Sequence, residues 1–188
     1  MTNINSLTNH LLIAMPTLNQ SSFERAVVYV CEHKEQGAVG LIVNQPMNYH
    51  LSFVFEQLNI KSEHNEKNKM PLLYGGPMQP ERGFVIHKQM VNDWRSSLML
   101  QDDVTITTSN DIILAIAHNK GPQDVLITLG YSSWGEKQLE KEVIEDAWLI
   151  CPFKTEILYE VPFNERWNYA GSILGVNMSQ LSTETGHA

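Results

Sequence analysis

A serine on a tight strand-to-helix turn is well placed for nucleophilic attack beside helix N–H donors, and Gly130-Tyr131-Ser132-Ser133-Trp134 brings those residue types together. The G-x-S-x-G pattern lacks its last glycine and no His–Asp pair can be assigned to the serine. The same residues fit a capping box better, with Ser133 and Glu136 as its two members, so no catalytic residue is assigned. A helix beginning there would also point unpaired N–H groups at an anion. The chain has neither G-x-G-x-x-G nor G-x-x-x-x-G-K-[ST], and Glu136 would compete for the first turn, so no cofactor is expected. Cys31 and His33 stand two apart on an expected strand and, with His87, offer sulfur and nitrogen to zinc. No C-x-x-C or H-E-x-x-H accompanies them; Cys31 is expected in the core and no metal site is assigned.

The elements that must position these residues change character along the chain. Leu11–Met15, Ala26–Cys31 and Val39–Val43 are short and rich in branched residues, and Glu35-Gln36-Gly37 separates the last two as a hairpin turn would; antiparallel strands follow. Leu51, Val54, Phe55 and Leu58 sit at i, i+3, i+4 and i+7, which predicts an amphipathic helix on a sheet. Lys61 to Lys69 carries mixed charge without apolar anchors and reads as a mobile surface loop. Leu72–Tyr74 and Phe84–His87 are read as strands around Gly75-Gly76-Pro77.

From Val104 the rhythm becomes strand (Val104–Thr107), helix (Asn110–His118), strand (Val125–Gly130), helix (Glu136–Asp146) and strand (Trp148–Cys151). This predicts a βαβαβ segment with parallel strands and right-handed crossovers. Ser109 is placed to cap the first of these helices, and Gly121-Pro122 to stop the chain after it. Leu139, Val143 and Ala147 form a core-facing stripe, with Lys141 and Glu145 paired on the solvated side; Glu145 and Asp146 fall where the helix dipole disfavours negative charge. Trp167, Ala170, Ile173 and Leu174 predict a final helix ended by Gly175, and the polar stretch from Ser179 to Ala188 is expected to fray.

With 188 residues, 43% of them hydrophobic, the chain suits one domain spanning 1–188 that buries roughly 70% of its unfolded surface. Thirteen Lys and Arg against 21 Asp and Glu give a net charge of −8, which argues against direct nucleic-acid binding. The two cysteines, Cys31 and Cys151, each end an apolar run; buried reduced thiols and a cytoplasmic location follow. The first ten residues hold no Lys or Arg and the apolar run after them is short, so no export signal and no membrane association are expected.

Six motifs in order, Leu11-Leu12-Ile13-Ala14-Met15-Pro16, Val28-Tyr29-Val30-Cys31-Glu32-His33, Gly37-Ala38-Val39-Gly40-Leu41-Ile42-Val43-Asn44-Gln45-Pro46, Tyr74-Gly75-Gly76-Pro77, Leu129-Gly130-Tyr131 and Gly186-His187-Ala188, resemble the bacterial YqgE/AlgH family. The resemblance implies an α+β fold with a mixed, partly barrel-like sheet, and a regulatory link to alginate production of unsettled molecular basis. The sequence departs from the family's Gly-Tyr-Ala-Gly-Trp and following glycine by carrying Ser132, Ser133 and Lys137 there.

Two functions from different classes remain. The first is a non-enzymatic interaction or regulatory protein acting through an unknown protein partner. The second is a small-ligand-binding protein or enzyme with a pocket between the Gly75–Pro77 and Tyr131–Gln138 segments. The first is favoured, and Gly75, Gly76, Pro77, Arg82, His87, Tyr131, Trp134 and Gln138 are taken to line the ligand or partner surface. The competing reading of Tyr131 and Trp134 is that they only cover the end of the sheet.

Overall fold

A computed structural model describes residues 6–63, 66–88, 94–101 and 104–181. The motif Gly186-His187-Ala188, most of the polar tail and His64-Asn65 lie outside the described residues.

Among the described residues ten strands occur in chain order as β1 (His10–Ala14), β2 (Val27–Lys34), β3 (Gly37–Ile42), β4 (Pro46–His50), β5 (Pro71–Tyr74), β6 (Met78–His87), β7 (Ser97–Gln101), β8 (Val104–Thr107), β9 (Val125–Trp134) and β10 (Trp148–Pro152). The helices are α1 (Leu51–Gln57), α2 (Asn110–Ala117), α3 (Gln138–Ile144), α4 (Thr155–Tyr159) and α5 (Arg166–Ile173). The strands join in the order β10-β1-β2-β3-β9-β6-β8-β7, with β4 on β5 and β5 on β9. The sheet curls: Asn9, just before β1, donates to the Leu100 carbonyl of β7 at 3.1 Å, and Gln101 reaches the Tyr29 hydroxyl of β2 at 3.3 Å, although these strands are far apart in the order. The fold is α+β with a partly barrel-like, mostly antiparallel sheet.

Strand alternation builds the layers. Leu11, Ile13, Val27, Tyr29 and Leu41 face a core covered by Ile157 and Leu158 of α4 and Trp167 and Ala170 of α5. Leu12, Ala14, Val28, Val30 and Ile42 face the other way, onto Trp134, Trp148 and Leu139 of α3. Farther along that face, α1 and α2 bury Leu51, Phe55, Ile112 and Ile116 on Leu72, Val85, Val125 and Ile127.

The hairpin at Glu35-Gln36 forms, and Gly37 takes φ +133°, where a Cβ would overlap the Trp134 carbonyl oxygen. The strand–helix–strand–helix–strand order after Val104 is present as β8-α2-β9-α3-β10, but the expected side-by-side parallel pairing is not. β6 lies between β8 and β9, antiparallel to both, and β10 pairs antiparallel with β1 at the far edge. Among the described residues the parallel pairing is that of β5 with β9. Leu58 caps α1 rather than extending it and is exposed, unlike Leu51 and Phe55. The described parts of 61–69 are tied down, contrary to a loose loop: the Glu63 N–H donates to Ala117 O at 2.9 Å and Lys67 Nζ to Pro122 O at 2.5 Å. Gly175, with φ +72°, follows α5 as expected. No helix among the described residues is long and apolar enough to cross a membrane.

Candidate functional site

The segment taken for a turn is strand. β9 runs through Gly130 to Trp134 because Gly130 adopts φ +74°, which bends the strand without ending it, and Ser132 and Ser133 then pair with Gly40 and Val39 of β3. Ser132 is fully buried and donates from Oγ to the Gly75 carbonyl at 3.3 Å, so it offers no exposed nucleophile. The Ser133–Glu136 capping box does not form either. α3 begins at Gln138 after Lys137 in the left-handed conformation, φ 56°, which glycine adopts with less strain. Gln138 supplies the local bond instead, accepting the Gly135 N–H through Oε1 at 3.0 Å. At α2, Ser109 occupies the N-cap position, but its hydroxyl donates to Asp111 Oδ1 at 2.5 Å rather than capping an N–H.

A strand places residues three apart on opposite faces, and this separates the two aromatics. Tyr131 packs with the α4–α5 layer, edge-on to Phe84 with centroids 5.9 Å apart. Trp134 packs on the other layer against Phe23 and Trp148, with centroids at 6.2 and 6.0 Å. The Trp134 and Trp148 indole N–H groups both donate to Glu142 Oε2 at 2.8 Å, and Gln138 Nε2 donates to Glu142 Oε1 at 2.9 Å. Glu142 is therefore the residue on which this end of the molecule converges. Sequence reasoning passed over it; the signal was its position four residues after Gln138, bordering the Leu139–Val143 stripe.

Gly75 and Gly76 do meet β9. The Gly75 N–H donates to Leu129 O at 2.8 Å, its carbonyl accepts from Ile42 N–H at 2.9 Å, and a Cβ on Gly76 (φ +147°) would overlap the Tyr131 backbone and Ser132 Oγ. The two segments are in direct contact, which fills the gap a pocket between them requires. Pro77 and Met78 emerge beyond this contact, Met78 pairing with Tyr131. From there β6 loses register until Gly83 pairs with Leu129, so residues 79–82 loop outward. Arg82 is exposed and folds back with its guanidinium carbon 5.2 Å from the Phe84 ring centroid. Pro77, Met78, Arg82, Phe84 and Tyr131 thus form one continuous strip.

His87 lies elsewhere, at the far end of β6, buried, with Nδ1 at 2.7 Å from Lys88 O and Nε2 at 2.9 Å from Thr107 Oγ1. Burial lowers its pKa. The zinc triad does not assemble. A bulge between Val30 and Glu32 inserts Cys31, so Cys31 joins the α4–α5 core while His33 turns to the opposite face, where Nδ1 accepts the Leu7 N–H at 3.0 Å and Nε2 stands 3.4 Å from Glu140. Among the described residues no group of three or more His, Cys, Asp or Glu is arranged to hold a metal. Both cysteines are free and buried, and burial pushes the Cys31 thiol up to about 12. Lys141 and Glu145 pair at 3.7 Å on the exposed face of α3, as expected.

Comparison with known proteins gives a consistent relationship. A family model described as AlgH-like matches residues 11–179. The chain is 66% identical over 185 residues to a UPF0301 protein of Legionella pneumophila, covering 98% of each, and 44% identical over 180 residues to one of Nitrosococcus oceani, covering 96% of each. Among solved structures it is similar to the AlgH protein from Pseudomonas aeruginosa, with TM-score 0.79 and 40% identity over 100% of this chain and 99% of that one. A Corynebacterium diphtheriae protein shares the fold at TM-score 0.66 and 17% identity, covering 90% of this chain and 87% of that one.

Proposed function

Because this chain belongs to the AlgH-like family, we propose that it is a regulatory interaction protein of the bacterial cytoplasm, which acts by docking a protein partner on the strip formed by Pro77, Met78, Arg82, Phe84 and Tyr131. One observation carries this reading: an exposed arginine stacks on a half-buried aromatic that itself meets a tyrosine edge-on, beside a methionine that is 43% exposed. Arg, Tyr and Met are enriched where proteins bind one another, since they combine contact area, polarizable surface and hydrogen bonding. The partner that fits presents an acidic side chain to Arg82 and apolar ones to Met78 and Tyr131. Regulation through a protein rather than through DNA agrees with a net charge of −8. Two buried free thiols agree with a reducing compartment.

Native mass spectrometry of the protein purified from its own host tests the proposal. A defined protein should co-purify with the wild-type chain and be lost from Met78→Asp/Arg82→Glu, whose melting temperature should be unchanged because both residues are exposed. Retention of the partner by the double variant contradicts the assignment.

A further inference from the structure

Arg166 opens α5, and its side chain turns inward until the residue is 3% exposed. The guanidinium donates from Nε to Val161 O at 2.9 Å, from Nη1 to Val43 O at 2.5 Å and from Nη2 to Leu158 O at 2.6 Å, with the Phe163 ring centroid 4.5 Å away. Carbonyls satisfy donors without cancelling charge. Among the described residues no carboxylate lies within ion-pair distance of Arg166. An enclosed cation without a counter-ion is costly. Burial accordingly pulls its pKa down to about 10, which leaves it protonated at neutral pH. Three bonds also use only three of the five N–H groups of a guanidinium.

Arg166 forms part of the floor of an open groove of about 570 Å³. Pro46, Met70 and Phe163 give it apolar walls, and Gln123 and Asn164 add amides. Asp124, paired with Lys88 at 2.9 Å, and the exposed Glu160 also border it.

We propose that this groove binds a small organic monocarboxylate, the carboxylate meeting Arg166 and the apolar body lying against Pro46, Met70 and Phe163. One uncompensated positive charge matches one negative charge, and a planar guanidinium matches a planar carboxylate. Glu160, which has no ion pair among the described residues, repels the second charge that a phosphate dianion would bring. The amides of Gln123 and Asn164 supply neutral donors. The site is separate from the docking strip, and its test does not depend on that surface.

Phenylacetate and its neutral isostere phenylacetamide are titrated into the ¹⁵N-labelled full chain at neutral pH, with inorganic phosphate as a third probe. The expected result is saturable backbone shifts at Gln123, Asn164 and Arg166 with phenylacetate, and affinity weaker by about tenfold or more for the amide and for phosphate. Glu160→Gln, which removes an unpaired exposed charge at the wall, should tighten phenylacetate binding by about twofold to fivefold without lowering the melting temperature. Equal affinity for acid and amide, tighter binding of phosphate, or no saturable shift at these residues up to about 10 mM phenylacetate overturns the proposal.

Discussion

Replacing Glu142 by alanine removes a carboxylate that three donors share. The Trp134 and Trp148 indoles, each 2.8 Å from Oε2, belong to residues 5% and 2% exposed, so water cannot freely replace their acceptor. A buried donor left unpaired costs about 1–3 kcal/mol. Gln138 is exposed and rehydrates, and Glu142 is itself half-buried, which admits some water to the vacated space. The expected loss is therefore about 2–4 kcal/mol, or roughly 5–15 °C in melting temperature for a chain of this size. Urea unfolding followed by tryptophan fluorescence measures it. Glu142→Gln, which retains one acceptor oxygen, should lose about half as much. Trp134→Phe deletes one donor and keeps a ring, so Glu142→Ala made in that background should cost less than in the wild type. An effect of Glu142→Ala within about 0.5 kcal/mol of zero would refute the shared-acceptor argument.

Trp134→Ala should destabilise by about 3–5 kcal/mol, because it empties the space between Phe23 and Trp148; a melting temperature unchanged in a thermal scan would return Trp134 to the surface role that the sequence suggested. Gly76→Ala should cost at least about 3 kcal/mol or abolish soluble folding, since the new Cβ overlaps β9 backbone at φ +147°, and a native-like unfolding curve would contradict this contact. The buried His87 has a lowered pKa, so the folded state resists its protonation while the unfolded chain accepts a proton near pH 6.5. The stability it contributes is present above about pH 6.5 and is lost as pH falls below that, with a slope of at most about 1.4 kcal/mol per pH unit. His87→Gln should flatten the pH 5–7 portion of the stability curve, and an identical slope in the variant would show that other groups carry it.

Local patterns in the sequence foretold local structure well, and long-range pairing poorly. Leu51 and Phe55 at helical spacing, the Glu35-Gln36-Gly37 turn and α5 with Gly175 after its end all depend on neighbours in sequence, and all formed. The insertion of β6 between β8 and β9 depends on partners about twenty to fifty residues away, which no periodicity records. Glycine punctuation misled twice over. Gly130 reads as a strand end yet lets β9 continue, and the small residues after it serve close packing against Gly75, Gly76 and β3 rather than a turn. One inserted residue at Cys31 was enough to send Cys31 and His33 to opposite faces, a shift that period-two reasoning cannot detect. Of the residues expected to share a surface, Pro77, Arg82 and Tyr131 follow one strip, Gly75 and Gly76 are buried against β9, Trp134 and Gln138 gather around Glu142, and His87 is remote. The β7 strand, Leu98-Met99-Leu100 at its centre, lacks the polar alternation that would have announced it.

The docking strip itself is tested most directly by placing a photo-crosslinking benzoyl-phenylalanine at Met78 in living cells of the host, with the same residue at Ile144, exposed on α3, as the control. The account predicts a discrete higher-mass protein adduct from position 78 that disappears when Arg82→Glu is added, and none from position 144. No adduct at 78, or the same adducts from both positions, would contradict it.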